Sequence, residues 1–138
     1  MGYHVSTNVR RRMTFDAEKV ERIASAWVQF TKLAVDASER DSLAKVLDEV
    51  DDIIQRDSVE GWAFIEAVRN MKVDLSLLSN LAAGPLEDYL VVHGEREIAR
   101  LESLAEHDVS LRKLLAQTWK NSMSDNVWER VQLAAKSG

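Results

Sequence analysis

The chain has 138 residues, 46% apolar and 30% charged, with one Pro, five Gly and no Cys. That mixture excludes wholesale disorder, and the missing Cys excludes a disulfide scaffold, a thiolate nucleophile and a Cys-based zinc site. Net charge is −5, placed unevenly: residues 1–13 carry three arginines and no acid, while 36–60 carry nine acids and three bases, a local net of −6.

Residues 1–13 read as a flexible basic tail around Arg10, Arg11 and Arg12, and 14–138 as a single helical domain. So few Pro and Gly leave few places to turn, which favours long helices over many short strands. No apolar run nears the roughly 18 residues of a membrane span, and no apolar signal segment opens the chain. The expectation is a cytoplasmic protein with no membrane partner.

Helix one is expected from about Phe15 to Val35, capped by Thr14, with Val20, Ile23, Ala24 and Trp27 on its buried stripe. Helix two covers about Asp41 to Gln55. Leu43, Val46, Leu47, Val50, Ile53 and Ile54 make its apolar side, and Asp48, Glu49, Asp51 and Asp52 its acidic side. Ser58 then caps a helix reaching about Met71, with Gly61 placed for a close helix–helix approach. The short link makes these two an antiparallel hairpin. Asp74 caps a short helix over about 75–82, which Gly84 and Pro85 are expected to end.

A short central helix follows: Pro85 and Glu87-Asp88 at its start, Leu86 and Leu90 on one face, His93 in its last turn and Gly94 as its stop. The next helix runs from about Glu95 to His107. Ser110 caps another, whose period continues through Thr118 and Trp119 into a last turn at 121–124, and Ser124 caps the final one. The sum is an all-α, compact, irregular bundle of seven or eight helices in antiparallel hairpins, with Trp27, Trp62, Trp119 and Trp128 all on apolar stripes and read as core.

The stretch Leu81-Ala-Ala-Gly-Pro-Leu-Glu-Asp-Tyr-Leu-Val-Val-His-Gly94, followed by Trp119 and Ser124-Asp-Asn-Val-Trp128, resembles a family of small uncharacterised bacterial helical proteins over roughly residues 25–130. The resemblance implies an all-helical bacterial protein. It carries over no activity and no site residue.

Catalytic signatures are missing. Neither G-x-x-x-x-G-K nor G-x-G-x-x-G nor G-x-S-x-G occurs, so phosphate loops and a nucleophile elbow have no footing. Neither His93 nor His107 has a His or an acid three or four residues before it, so no metal site and no cofactor is expected. The best catalytic grouping is His93 as base with Glu87, Asp88 and Glu97, although helix-dipole placement alone explains the acids and the histidine, and Tyr89 and His93, four apart, could equally face a partner.

The acidic side of helix two is the sharpest signal. Asp48, Asp51 and Asp52 crowd like charges that a basic partner would relieve, while phosphates would be repelled. The leading expectation is therefore a non-catalytic module that binds a basic protein through Asp48, Glu49, Asp51, Asp52 and Glu60. An immunity-type protein masking a toxin is one concrete form. The alternative is an enzyme or small-ligand protein using Glu87, Asp88, Tyr89 and His93. A self-associating structural domain is a third reading, and the oligomeric state is left open.

Overall fold

A computed structural model describes residues 16–32 and 37–136. The basic tail with Arg10–Arg12, the expected Thr14 cap and the end of helix one at Val35 lie outside them. The described residues are all-helical, with no strand among them. They form six helices: α1 Ala17–Lys32, α2 Ala37–Arg56, α3 Ser58–Asn70, α4 Leu75–Glu106, α5 Val109–Leu115 and α6 Asp125–Lys136.

The expected count of seven or eight fails at the central stretch. Gly84-Pro85 does not end a helix and Gly94 does not stop one. Instead, α4 runs through a π turn at Ala82–Leu86, where the Glu87 N–H donates to the Ala82 carbonyl, five residues back. A proline inside a helix removes a donor and crowds the carbonyl four residues before it. Widening one turn relieves both problems, and burial of Ala82, Pro85 and Leu86 holds the chain on course. Gly94 lies mid-helix for a packing reason: a Cβ there would meet Val127 Cγ1 of α6 at 2.8 Å.

The caps fall on aspartates more often than expected. Asp16 accepts from the Lys19 N–H at 3.1 Å. Asp57, rather than Ser58, caps α3 by accepting from the Val59 and Glu60 amides at 2.7 and 3.1 Å. Asp108, rather than Ser110, caps α5 through the Leu111 amide at 3.0 Å. Asp74 and Ser124 cap as expected, taking the Leu77 and Val127 amides at 2.9 and 3.2 Å. Each such cap contributes about 1 kcal/mol.

Two sets of helices share one core. α1, α2 and α3 pack on one another, with Trp27 edge-on to Phe64 at 6.0 Å between ring centroids. α6 packs on α4 and on α5, and a side-chain pair between Arg130 and Glu102, 2.9 Å from Nε, fastens α6 to α4. The middle of α4 joins the sets. Tyr89 and His93 lie against the α2–α3 turn, where a Cβ on Gly61 would sit 3.2 Å from Tyr89 Cδ1 and 3.4 Å from the Ile54 Cα. The close approach expected at Gly61 is therefore present, and α4 shares it with α2.

Candidate functional site

Where α1, α2 and the π turn meet, the surface dips into a groove. Two adjoining cavities of about 340 and 300 Å³ share Trp27, Leu47, Gly84 and Pro85 as lining. Asp48, Asp51 and Asp88 border the larger one. The sequence places the first two on α2 at helical spacing and the third on α4, 37 positions beyond Asp51. The π turn is what brings Asp88 to them, because one extra residue rotates the rest of α4 by roughly 100°. Gly84 leaves the groove open, since a Cβ there would have nothing within 4 Å.

Among the described residues, no ion pair compensates the carboxylates of the groove. Burial raises the Asp88 carboxyl above its ordinary range, and the charges of Asp51 and Glu87 raise it further. Asp48 and Asp51 make no ion pair among the described residues. The other members of the expected acidic site are neutralised within the chain. Glu49 meets Arg22 at 3.3 Å, Asp52 meets Arg56 at 2.9 Å, and Glu60 takes the Lys19 ammonium at 3.0 Å. The five-residue acidic site expected from the sequence thus divides into two carboxylates with no ion pair among the described residues and three paired ones.

Glu87, Asp88, Tyr89 and His93 do not converge. His93 is buried and its Nε2–H donates to the Ile54 carbonyl at 2.7 Å, which serves the otherwise open C-terminal end of α2. Its Nδ1 has no partner among the described residues. Tyr89 donates to the Ser58 carbonyl and accepts from Arg100, both at 3.1 Å, and burial pushes its phenol up to about 12. Arg100 stands over the Trp62 ring at 5.1 Å, Trp62 lies 5.5 Å from Tyr89, and Tyr89 lies 5.0 Å from His93. This stack clamps α3 and α4 together. Glu87 points the other way, accepting the Trp119 N–H at 2.9 Å and the Asn121 amide at 3.4 Å. Only Asp88 reaches the groove.

Sequence reasoning singled out Asp48, Asp51 and Asp88 separately and did not connect them. It missed the apolar floor, because Trp27 and Leu47 each fit a core stripe and Pro85 was read as a boundary. Trp119 was misplaced: α5 ends at Leu115, and Trp119 is 73% exposed. Thr118 bends back to donate to the Leu115 carbonyl at 2.7 Å, and Asn121 takes a positive φ of 49°, so the helical period is broken where the sequence pattern continues it. Trp27 and Trp62 are core as expected, and Trp128 is half-buried.

No helix of the described residues is long and apolar enough to cross a membrane. No curated protein and no solved structure matches the chain. A family model described as a family of unknown function (DUF6869) matches residues 34–138, which includes Asp48, Asp51, the π turn and Asp88 but leaves out the α1 wall of the groove. The chain therefore belongs to this family of unknown function.

Proposed function

We propose that the chain is a non-catalytic binding module whose groove takes a basic side chain of a partner protein. One observation carries the reading: Asp48, Asp51 and Asp88 border an apolar floor while the chain supplies them with no base among the described residues. Like charges held near an apolar surface raise the free energy of the unbound protein. A lysine or arginine laid into the groove would cover the exposed Leu47, above the buried Trp27 and Pro85, with its alkyl stem and set its cation among the carboxylates. Two oxygens of one carboxylate match the two N–H groups of a guanidinium, which favours arginine.

A basic protein surface is thus the proposed partner, and an immunity-type role against a toxin is one biological form of it. The same field would repel nucleic acid from this face.

Calorimetric titration with an arginine-rich peptide tests the proposal. The wild-type chain should bind, and raising salt from about 0.05 to 0.5 M should weaken it markedly, because the Debye length shrinks below the size of the groove. The combined change Asp48→Asn, Asp51→Asn and Asp88→Asn should lower affinity by about tenfold or more. Neutralising the paired Glu49 and Asp52 should cost less. Equal losses from the two sets would leave only general attraction to an acidic protein and would overturn the assignment of the groove.

A further inference from the structure

The molecule carries a second surface of opposite character. A cavity of about 630 Å³ lies beside Trp119 and Trp128, floored by Leu115 and Ala83 and edged by Lys136. A second cavity of about 390 Å³, lined by Leu75, Leu78 and Val109 and edged by Lys113, shares Gln117 with it. The two adjoin at Gln117, over the start of α4 and along α5. Their rim leaves large apolar side chains in solvent: Trp119 is 73% exposed, Leu75 78% and Val109 54%. Exposed apolar side chains gathered along one groove mark an interaction surface, whereas scattered ones do not.

Its charge is also distinctive. In a chain of net charge −5, no carboxylate among the described residues lines either cavity. Lys113 and Lys136 make no ion pair among the described residues, whereas Arg69, also on the rim, is occupied by Glu66 and Asp108. The backbone that carries the exposed indole is held from behind. The buried carboxylate of Glu87 accepts the Trp119 backbone N–H at 2.9 Å, and the same carboxylate takes the Asn121 amide. A large aromatic side chain on a fixed backbone loses little freedom on binding, as an interface anchor requires.

We propose that this groove docks an acidic amphipathic segment of a partner protein. Apolar residues of that segment would fill the two cavities beside Trp119, and its carboxylates would meet Lys113 and Lys136. An acidic occupant follows from the two ammonium groups that have no ion-pair partner, and the lining that has no carboxylate, among the described residues. The commitment to an extended segment, not a small molecule, follows from the exposed apolar rim that runs past both cavities. This surface is separate from the acidic groove at the π turn, and the proposal does not depend on that groove.

The test uses the full chain and a synthetic helical peptide with leucines at i, i+3, i+4 and i+7 and glutamates between them, read by tryptophan emission and by calorimetry. A counterpart with lysines in place of the glutamates is the control. The acidic peptide should bind and the basic one should bind at least about tenfold more weakly. Trp119→Ala should weaken the acidic peptide by about tenfold or more, as loss of a central aromatic anchor does. Lys113→Glu with Lys136→Glu should weaken it and reduce its salt dependence, while neutralising Asp48, Asp51 and Asp88 should not weaken it. Unchanged urea midpoints would show that the variants are folded, and a Trp119→Phe variant that retains part of the affinity would separate loss of an anchor from loss of the loop. Equal binding of both peptides, or a Trp119→Ala variant that binds as tightly as wild type, would overturn the proposal. So would concentration-dependent self-association, seen by sedimentation and abolished by Trp119→Ala, because it would assign the groove to a second copy.

Discussion

His93 serves the Ile54 carbonyl with its Nε2–H at 2.7 Å inside the core, so its loss leaves a buried acceptor unpaired. His93→Leu should therefore lower stability by about 1–3 kcal/mol in urea unfolding, without altering peptide binding at the acidic groove. A loss of binding at unchanged stability would return His93 to a functional role. Gly94 answers to Val127 in the same residue-by-residue way. Gly94→Ala adds a methyl 2.8 Å from Val127 Cγ1 and should cost about 1–3 kcal/mol despite the better helix propensity of Ala. Adding Val127→Ala should recover part of that loss, so the two changes should couple by about 1 kcal/mol in a double-mutant cycle. Additive losses would show that the contact is not what fixes glycine here. His93 and Gly94 were both legible as consequential, but their roles were not. The sequence puts a histidine near a glycine, which reads as a helix end, while the partners that decide their roles lie on α2 and α6.

The π turn is the element on which the groove depends. Local rules made Gly84-Pro85 a boundary, and locally they are sound. Packing of Ala82, Pro85 and Leu86 overrides them, and that packing involves residues far away in the chain. The same limit explains the shifted caps. Asp57 and Asp108 each stand before a serine, and composition alone does not rank one good cap over another one or two residues later. Gly84→Ala separates stability from binding. Its methyl would meet nothing within 4 Å, so helix propensity should raise stability by about 0.5–1 kcal/mol. The same methyl would project into the groove and should weaken the arginine-rich peptide. A variant that is both more stable and an equally good binder would show that the peptide binds elsewhere.

At the scale of the whole molecule, charge is sorted by surface. The acidic side gathers at α2 and the π turn, and the face around Trp119 keeps Lys113 and Lys136, which make no ion pair among the described residues. Regional charge was readable from the sequence, since 36–60 holds most of the excess acid. Which acids lack an ion pair among the described residues was not, because Arg22, Arg56 and Lys19 claim Glu49, Asp52 and Glu60 only in the folded chain. The strain in the acidic groove has a pH signature. Burial, Asp51 and Glu87 raise the Asp88 carboxyl in the folded state, so folding favours its protonated form. The stability tied to that proton is fully present below the ordinary aspartate value and is lost as pH rises through the raised one. Asp88→Asn should therefore raise the thermal midpoint near pH 7, and the advantage should fade as pH falls toward about 4. An advantage independent of pH would assign it to something other than the charge.

Backbone amide mapping by NMR, with the arginine-rich peptide added to the labelled full chain, tests the central claim most directly. The binding account predicts the largest shifts at Asp48, Asp51, Gly84 and Asp88, shrinking together as salt is added. Shifts spread evenly over the acidic residues of α2, with Glu49 and Asp52 moving as much as Asp48 and Asp51 and with Gly84 unmoved, would contradict it.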